Sequence, residues 1–216
     1  MKQVDGTRKD IKMPPQNFNQ IGPIKLPHEW KQGIVKECTH RLFEFPKDRY
    51  LVVEVGNIAA DKNPLVRIQS ACALGDLFES KWCDCAWQWK ESKKLMFQEP
   101  AGLLIHAFDQ HGKGVGLHNH YMVYAEGQKR NQELLTETFD FLGLNYENRE
   151  YSDIAKILKF YKLSKIRLLT NDPSRIEFFE KNGFEVERMP LQPPVDEHNQ
   201  AELKIKKEKF GHLLDI

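Results

Sequence analysis

Apolar positions fall into short runs separated by polar turns. Tyr50-Leu-Val-Val-Glu-Val55 is rich in β-branched residues and predicts a strand. Asn57 to Pro64 reads as a polar loop. Pro64-Leu-Val-Arg-Ile68 predicts a second strand that delivers the chain to Ser70 and Cys72. Ala86 to Gln98 holds good helix formers without a breaker, and Pro100 ends it. Gly102 to Phe108 is a short apolar run, expected as a buried strand. His111 to Leu117, with Gly112, Gly114 and Gly116, reads as a glycine-rich loop, followed by a helix from about His118 to Ala125. Residues 126–150 carry no clear period.

The last third is easier to place. Ile154, Ile157, Leu158 and Tyr161 recur at helical spacing, with Ser152 as the expected N-cap. Ile166 to Thr170 predicts a strand, and Asn171-Asp-Pro-Ser174 a turn and cap. Arg175 to Asn182 predicts a helix closed by Gly183, and Phe184 to Met189 another strand. Helix, strand, helix, strand at this spacing is a βαβ pattern. The expectation is an α/β fold with a mixed, largely parallel sheet flanked by helices. Pro193 and Pro194 begin a tail, and a final helix is expected from about Ala201 to Leu214. Residues 1–25, polar and carrying Pro14, Pro15 and Pro23, read as a flexible arm, and 26–216 as one domain.

Composition narrows the function classes. The 216 residues are 40% apolar and 29% charged, with a net charge of +1, so no global field points to nucleic acid or to an anionic membrane. No apolar stretch approaches the ~20 residues of a membrane helix. The first ten residues lack the apolar region of a signal peptide. A cytoplasmic protein is the expectation, and there reduced thiols suit metal binding better than disulfides.

Three of the four cysteines lie in one stretch, Cys72, Cys83 and Cys85. Thiolates are zinc ligands, and three of them leave a position open for water, as a catalytic site requires. A distant fourth His or Cys would instead close a structural site, and spacing alone leaves both readings standing. Cys38 reads as a small half-buried residue. The glycines at 112, 114 and 116 remove side chains where an anion could approach backbone N–H groups, with Lys113 adding charge, although such a turn alone is weak evidence. His118 and His120 point to different faces of a helix and read as ordinary histidines. Glu147-Asn-Arg149-Glu150 matters only if folding carries it to the cysteines. Thr170 to Arg175 lies at the carboxyl end of a presumed parallel strand, where α/β folds bind ligands.

Five segments together carry a resemblance: Arg67-Ile-Gln-Ser-Ala-Cys-Ala-Leu-Gly-Asp, Trp82-Cys-Asp-Cys-Ala-Trp-Gln, Gly112-Lys-Gly-Val-Gly-Leu, Arg167-Leu-Leu-Thr-Asn-Asp-Pro and Val186-Glu-Arg-Met-Pro-Leu. From about Arg67 to Leu214 the chain resembles GTP cyclohydrolase II, a zinc enzyme that opens the guanine ring at the entry to riboflavin synthesis. The resemblance implies one zinc per chain on Cys72, Cys83 and Cys85, and Mg2+ with the phosphates of GTP or a related purine nucleotide. It also implies a homodimer. By position it implies nucleotide contacts from Arg67, Ile68, Gln69, Ser70, Ala71, Gln88, His111, Gly112, Lys113, Leu135, Thr170 and Arg175. Tyr124 falls near the reacting ring, Glu147 at the proton acceptor, and Arg149 at the arginine that acts at the α-phosphate. The departures surround the cysteines: Gln69-Ser70-Ala71 for His-Ser-Glu, His111-Gly112-Lys113 for Glu-Gly-Arg, Glu147 for aspartate, Leu135 for threonine, and Arg175 for lysine. They imply retained zinc hydrolysis with an altered substrate shell.

Overall fold

Among the described residues, seven strands form one sheet in the order β1-β2-β3-β5-β4-β6-β7. The computed structural model describes residues 18–131 and 135–216. β1 (Asn19–Lys31), β2 (Ile34–Glu44) and β3 (Arg49–Gly56) are antiparallel neighbours. The two-residue turn Gln32-Gly33 joins the first pair, and so short a link forces antiparallel pairing. β4 (Leu65–Ser70), β5 (Ala101–Ala107), β6 (Lys165–Leu169) and β7 (Glu185–Met189) form the parallel half, with β5 antiparallel to β3 at the join. The mixed α/β sheet is as the sequence implies. Its antiparallel half comes mainly from two strands that the apolar pattern does not announce.

Alternation on the central strands divides the core between the two sheet faces. Val52, Ile68, Leu103, Ile105 and Leu168 pack with Ile154, Ile157, Leu158 and Phe179 of α5 (Ser152–Phe160) and α6 (Pro173–Lys181). Val53, Val55, Leu104 and Leu169 face the other way, onto Met96 of α1 (Cys85–Gln98). Full burial of each such side chain contributes roughly 1.5–3 kcal/mol. β4 is buried from Leu65 to Gln69, so its register is held on both faces.

Several boundaries differ from the sequence reading. Residues 1–17 of the expected arm lie outside the described residues, but residues 19–25 are strand, not arm. That strand is mostly exposed and contains Pro23 and Pro27, so it lacks the apolar alternation of a core strand. Ser152 is the first helical residue of α5, with Tyr151 at the cap position, rather than the N-cap itself. The final helix, α7 (Gln200–Phe210), stops at left-handed Gly211 and does not run to Leu214. The expected glycine loop is a single turn, α2 (His111–Gly114), with Gly112 and Lys113 at positive φ. It leads into α3 (Gly116–Lys129), longer at both ends than expected. α4 (Leu135–Phe141) lies within the stretch that showed no period.

β5, β4 and β6 are adjacent and parallel, so their carboxyl ends share one edge of the sheet. The segments leaving those ends are 71–85, 108–116 and 170–175, which hold the cysteines, the glycine turn and the Thr170 turn. The fold therefore gathers there the motifs that are scattered along the chain.

Candidate active site

Cys72, Cys83 and Cys85 place their sulfurs within 4.8 Å of one another, the first two 3.9 Å apart. Two zinc–sulfur bonds of about 2.3 Å at a tetrahedral angle separate sulfurs by about 3.8 Å, so the donor set fits one ion. No fourth His, Cys, Asp or Glu joins the group among the described residues. Cys72 and Cys83 are buried; the hydrogen bonds within the trio act on each thiol in opposite directions, and burial, with the neighbouring thiols, holds all three above their ordinary pKa. A bound cation reverses that preference and makes thiolates of them.

The surrounding chain fixes the trio. Cys72 caps a short turn of π-helix, Ala73–Leu77, and its sulfur accepts from the Gly75 N–H at 3.4 Å. A Cβ on Gly75 would sit 2.7 Å from the Cys85 Cβ, so only glycine admits this approach. The Asp76 carboxylate accepts from the Cys72 N–H at 3.0 Å and from Gln69 Nε2 at 2.8 Å, and lies 3.2 Å from His106 Nε2. Asp84, between two of the cysteines, accepts from Gln88 Nε2 at 2.5 Å and from Lys206 Nζ at 2.7 Å. Lys206 also lies 2.9 Å from Glu202 Oε1. α7 is thus ion-paired to the cysteine loop. Burial alone would raise Asp84, but Lys206 holds its carboxyl below the ordinary value. Burial likewise opposes the charge on Lys206, yet Asp84 and Glu202 hold its pKa above the ordinary value.

The cysteines open onto a cavity of about 1010 Å³, counting the space at its mouth. Of the residues expected at the site, Arg67 to Cys72, Cys83, Cys85, Gln88, Gly112, Lys113, Tyr124, Leu135, Arg149, Thr170 and Arg175 line it. Two do not. His111, the half-buried first residue of α2, is off the lining, and Glu147 is exposed outside it, reaching the cavity through Arg149. Arg149 donates to Glu147 through Nε at 2.6 Å and through Nη2, and lies 3.5 Å from Asp172. Burial opposes its charge, but Tyr151, Glu147 and Asp172 hold the Arg149 pKa above the ordinary value.

Arg175 is 4% exposed and donates to the Ile68 carbonyl at 3.0 Å and to the Tyr151 hydroxyl at 3.3 Å, so much of its donor capacity goes to the frame. Arg67 donates to Gln69, Gln88 and the Leu169 carbonyl, and burial, then Arg175, press it down to about 9. Lys113 Nζ sits 3.7 Å over the Tyr146 ring and 4.8 Å from that of Phe210. Burial, then Lys206 and Arg149, bring it to about 7. Gly112 is required here, since a Cβ would meet the His120 ring at 2.7 Å and its φ is +55°. Burial, then Glu202 and Cys83, raise the Tyr124 phenol, which stays protonated. His118 is exposed and His120 is buried; the latter lines the cavity, and burial, then His111, lower it to about 4.

Asp84, Asp172, Glu202, Lys206 and His212 also line the cavity; Asp172 falls within the turn from Thr170 to Arg175 already singled out, whereas no motif assigns a site role to the other four. Asp84 was in view between the cysteines. The α7 pair gave no local signal, because a buried lysine in Lys-Ile-Lys-Lys-Glu-Lys looks like any surface lysine.

Comparison with known proteins agrees with the motif pattern. The family profile described as GTP cyclohydrolase II matches residues 35–190. A GTP cyclohydrolase-2 of Helicobacter pylori strain P12 is 36% identical over 190 residues, covering 88% of this chain and 95% of that protein. One from Archaeoglobus fulgidus is 39% identical over 150 residues, 69% of this chain and 39% of that protein. The riboflavin biosynthesis protein RibBA of Staphylococcus epidermidis strain ATCC 12228 is 31% identical over 215 residues, 99% of this chain and 52% of that protein.

Proposed function

Because the chain belongs to the GTP cyclohydrolase II family, a family of hydrolases, we propose that it opens the imidazole ring of GTP with release of formate and pyrophosphate. One observation carries this reading: Cys72, Cys83 and Cys85 open onto a cavity also lined by Gln88, Tyr124, Arg149 and Thr170. Zinc held by the three cysteines would supply Lewis acidity and a nucleophilic water near neutral pH. Arg149 would bind the α-phosphate, its guanidinium fork aimed by Glu147 and Asp172. Lys113 would add a charge to the phosphates and regain its proton as they arrive. Mg2+ would accompany the phosphates.

Tyr124, held as a phenol, would donate to and orient the reacting ring. Glu147 would accept and return protons once the incoming phosphate draws Arg149 from it. Arg67, Gln69 and Gln88 share one hydrogen-bond network and would shape the wall around the base with Ile68, Ser70 and Ala71. His111, off the lining, would act only through its neighbours in α2. Incubation with GTP and zinc, followed by formate and pyrophosphate assays, tests the reading. A zinc-loaded protein that releases neither refutes it.

A second reading, a related hydrolase acting on another nucleotide or heterocycle, is favoured by the altered wall, with His111 and Glu147 both off the cavity lining. Stabilisation by a ligand other than a guanine nucleotide, with none by GTP, would support it. A zinc-binding homologue without catalysis is the third; unfolding on chelation with no formate released would favour it, whereas activity left unchanged by Glu147→Gln and Arg149→Ala would make those two residues bystanders. We also propose a homodimer working in the cytoplasm; among the described residues no helix is long and apolar enough to cross a membrane.

A further inference from the structure

Among the described residues, four that line the cavity hold a buried polar atom without a hydrogen-bond partner: Arg67 Nε, His120 Nδ1, Arg175 Nε and Glu202 Oε2. One of the four is a carboxylate oxygen. The other lining carboxylates are fully engaged. Asp84 gives one oxygen to Lys206 and the other to Gln88. Asp172 gives one to Ser174 and the other to Arg149. Glu202 accepts from Lys206 through Oε1 and keeps Oε2 free. Its side chain is 14% exposed, so water does little to satisfy that oxygen. A buried acceptor on a charged group is costly when left unpaired, and the missing donor is the natural content of the cavity beside it.

The neighbourhood restricts what that donor is. Tyr124, Phe139 and Tyr146 line the same cavity, and after burial the Glu202 charge is the largest influence on the phenols of Tyr124 and Tyr146. Flat aromatic walls beside a carboxylate suit a planar heterocycle that presents N–H groups along one edge. Guanine does so through N1–H and its 2-amino group. Hypoxanthine keeps only the first, and adenine offers an acceptor at N1. We propose that Glu202 of α7 is the base-selecting residue of this site, accepting from the N1–H and 2-amino edge of the purine. The assignment rests on the reading of the cavity as a purine nucleotide site. Lys206 holds the carboxylate in place and ties it to Asp84 on the cysteine loop, so base recognition and the metal loop share one ion-paired chain.

The test compares zinc-loaded wild type with Glu202→Gln and Glu202→Asp on GTP and inosine 5′-triphosphate, scoring formate release. Zinc content and thermal midpoint are measured on each variant. Charge-assisted hydrogen bonds set the expected scale: the GTP-to-ITP ratio of kcat/KM falls roughly 10- to 100-fold in Glu202→Gln. In Glu202→Asp the ratio lies between the two, because the charge remains and the reach shortens. A ratio unchanged in Glu202→Gln overturns the assignment, as does an equal loss on both nucleotides, which is what a purely structural role of the Lys206 pair would give. If wild type releases formate from neither, the hydrolytic reading fails separately. Glu202 is then judged by thermal stabilisation with GDP against IDP. A guanine preference lost in Glu202→Gln supports the assignment, and its absence in wild type overturns it.

Discussion

Removing the ammonium of Lys206 while keeping its stem, as in Lys206→Met, isolates the tie between α7 and the cysteine loop. Lys206 Nζ lies 2.7 Å from Asp84 and 2.9 Å from Glu202, and the Lys206 and Asp84 side chains are 10% and 2% exposed. Methionine fills the same apolar path, so the lost quantity is chiefly the charge. Breaking a buried pair by deleting one partner costs about 3–5 kcal/mol, because the surviving carboxylates are left desolvated. For a chain of this size, about 2–4 °C per kcal/mol, the thermal midpoint should fall by roughly 6–20 °C. The pH dependence has a definite sign. Asp84 is depressed, so its contribution is present above the unfolded value near 4 and lost as pH falls through the folded one. Lys206 is raised, so its contribution is present below about 10.4 and lost as pH rises through the folded value. The difference between wild type and variant should therefore be widest between about pH 4 and 10, and thermal melts of zinc-loaded protein across that range measure it. A double-mutant cycle with Asp84→Asn supplies the coupling. A midpoint loss under about 2 °C at pH 7, or strict additivity of the two changes, would refute the reasoning.

Three further outcomes follow from the site. Gly112→Ala forces a Cβ to within 2.7 Å of His120 at φ +55°, and should cost about 1–3 kcal/mol in urea unfolding together with nucleotide affinity. With Lys113 near pH 7 in the free protein, affinity for a non-hydrolysable GTP analogue should weaken up to about tenfold per pH unit above 7, and calorimetry on Lys113→Met should find that slope gone. Burial is the leading cause that lowers His120 and His212, each to about 4, so the unfolded chain takes up their protons first. Stability should be full above about pH 6.5 and fall towards pH 4 by about 1.4 kcal/mol per pH unit for each ring, a slope that replacing both with asparagine should flatten.

Legibility in the sequence tracked the range of the interactions involved. The β6–α6–β7 unit was readable because its signals are local: a short apolar strand, the Asp172-Pro173 cap, and Gly183 after the helix. The cysteine trio was readable because thiol spacing has few meanings. β1 was not, because its prolines and two exposed faces erase the alternation on which strand reading depends. Arg175 is expected to contact the nucleotide, but its hydrogen bond to Ile68 joins residues 107 positions apart, and no local pattern reports that. Lys206 and Asp84, 122 positions apart, escaped for the same reason. Charge type was legible in the chain; which charges become buried is set by how α7 docks.

The cysteines, the glycine turn and the Thr170 turn leave the sheet at Ser70, Ala107 and Leu169, from three adjacent strand ends. Each is a connection that starts from a strand end already fixed in the sheet. Their chemistry can therefore change by exchange of short segments, while the hydrophobic interior goes on folding as before. A recombination map for this protein would place its crossovers at those three positions, and α7 would have to travel with the first segment, because Lys206 answers to Asp84.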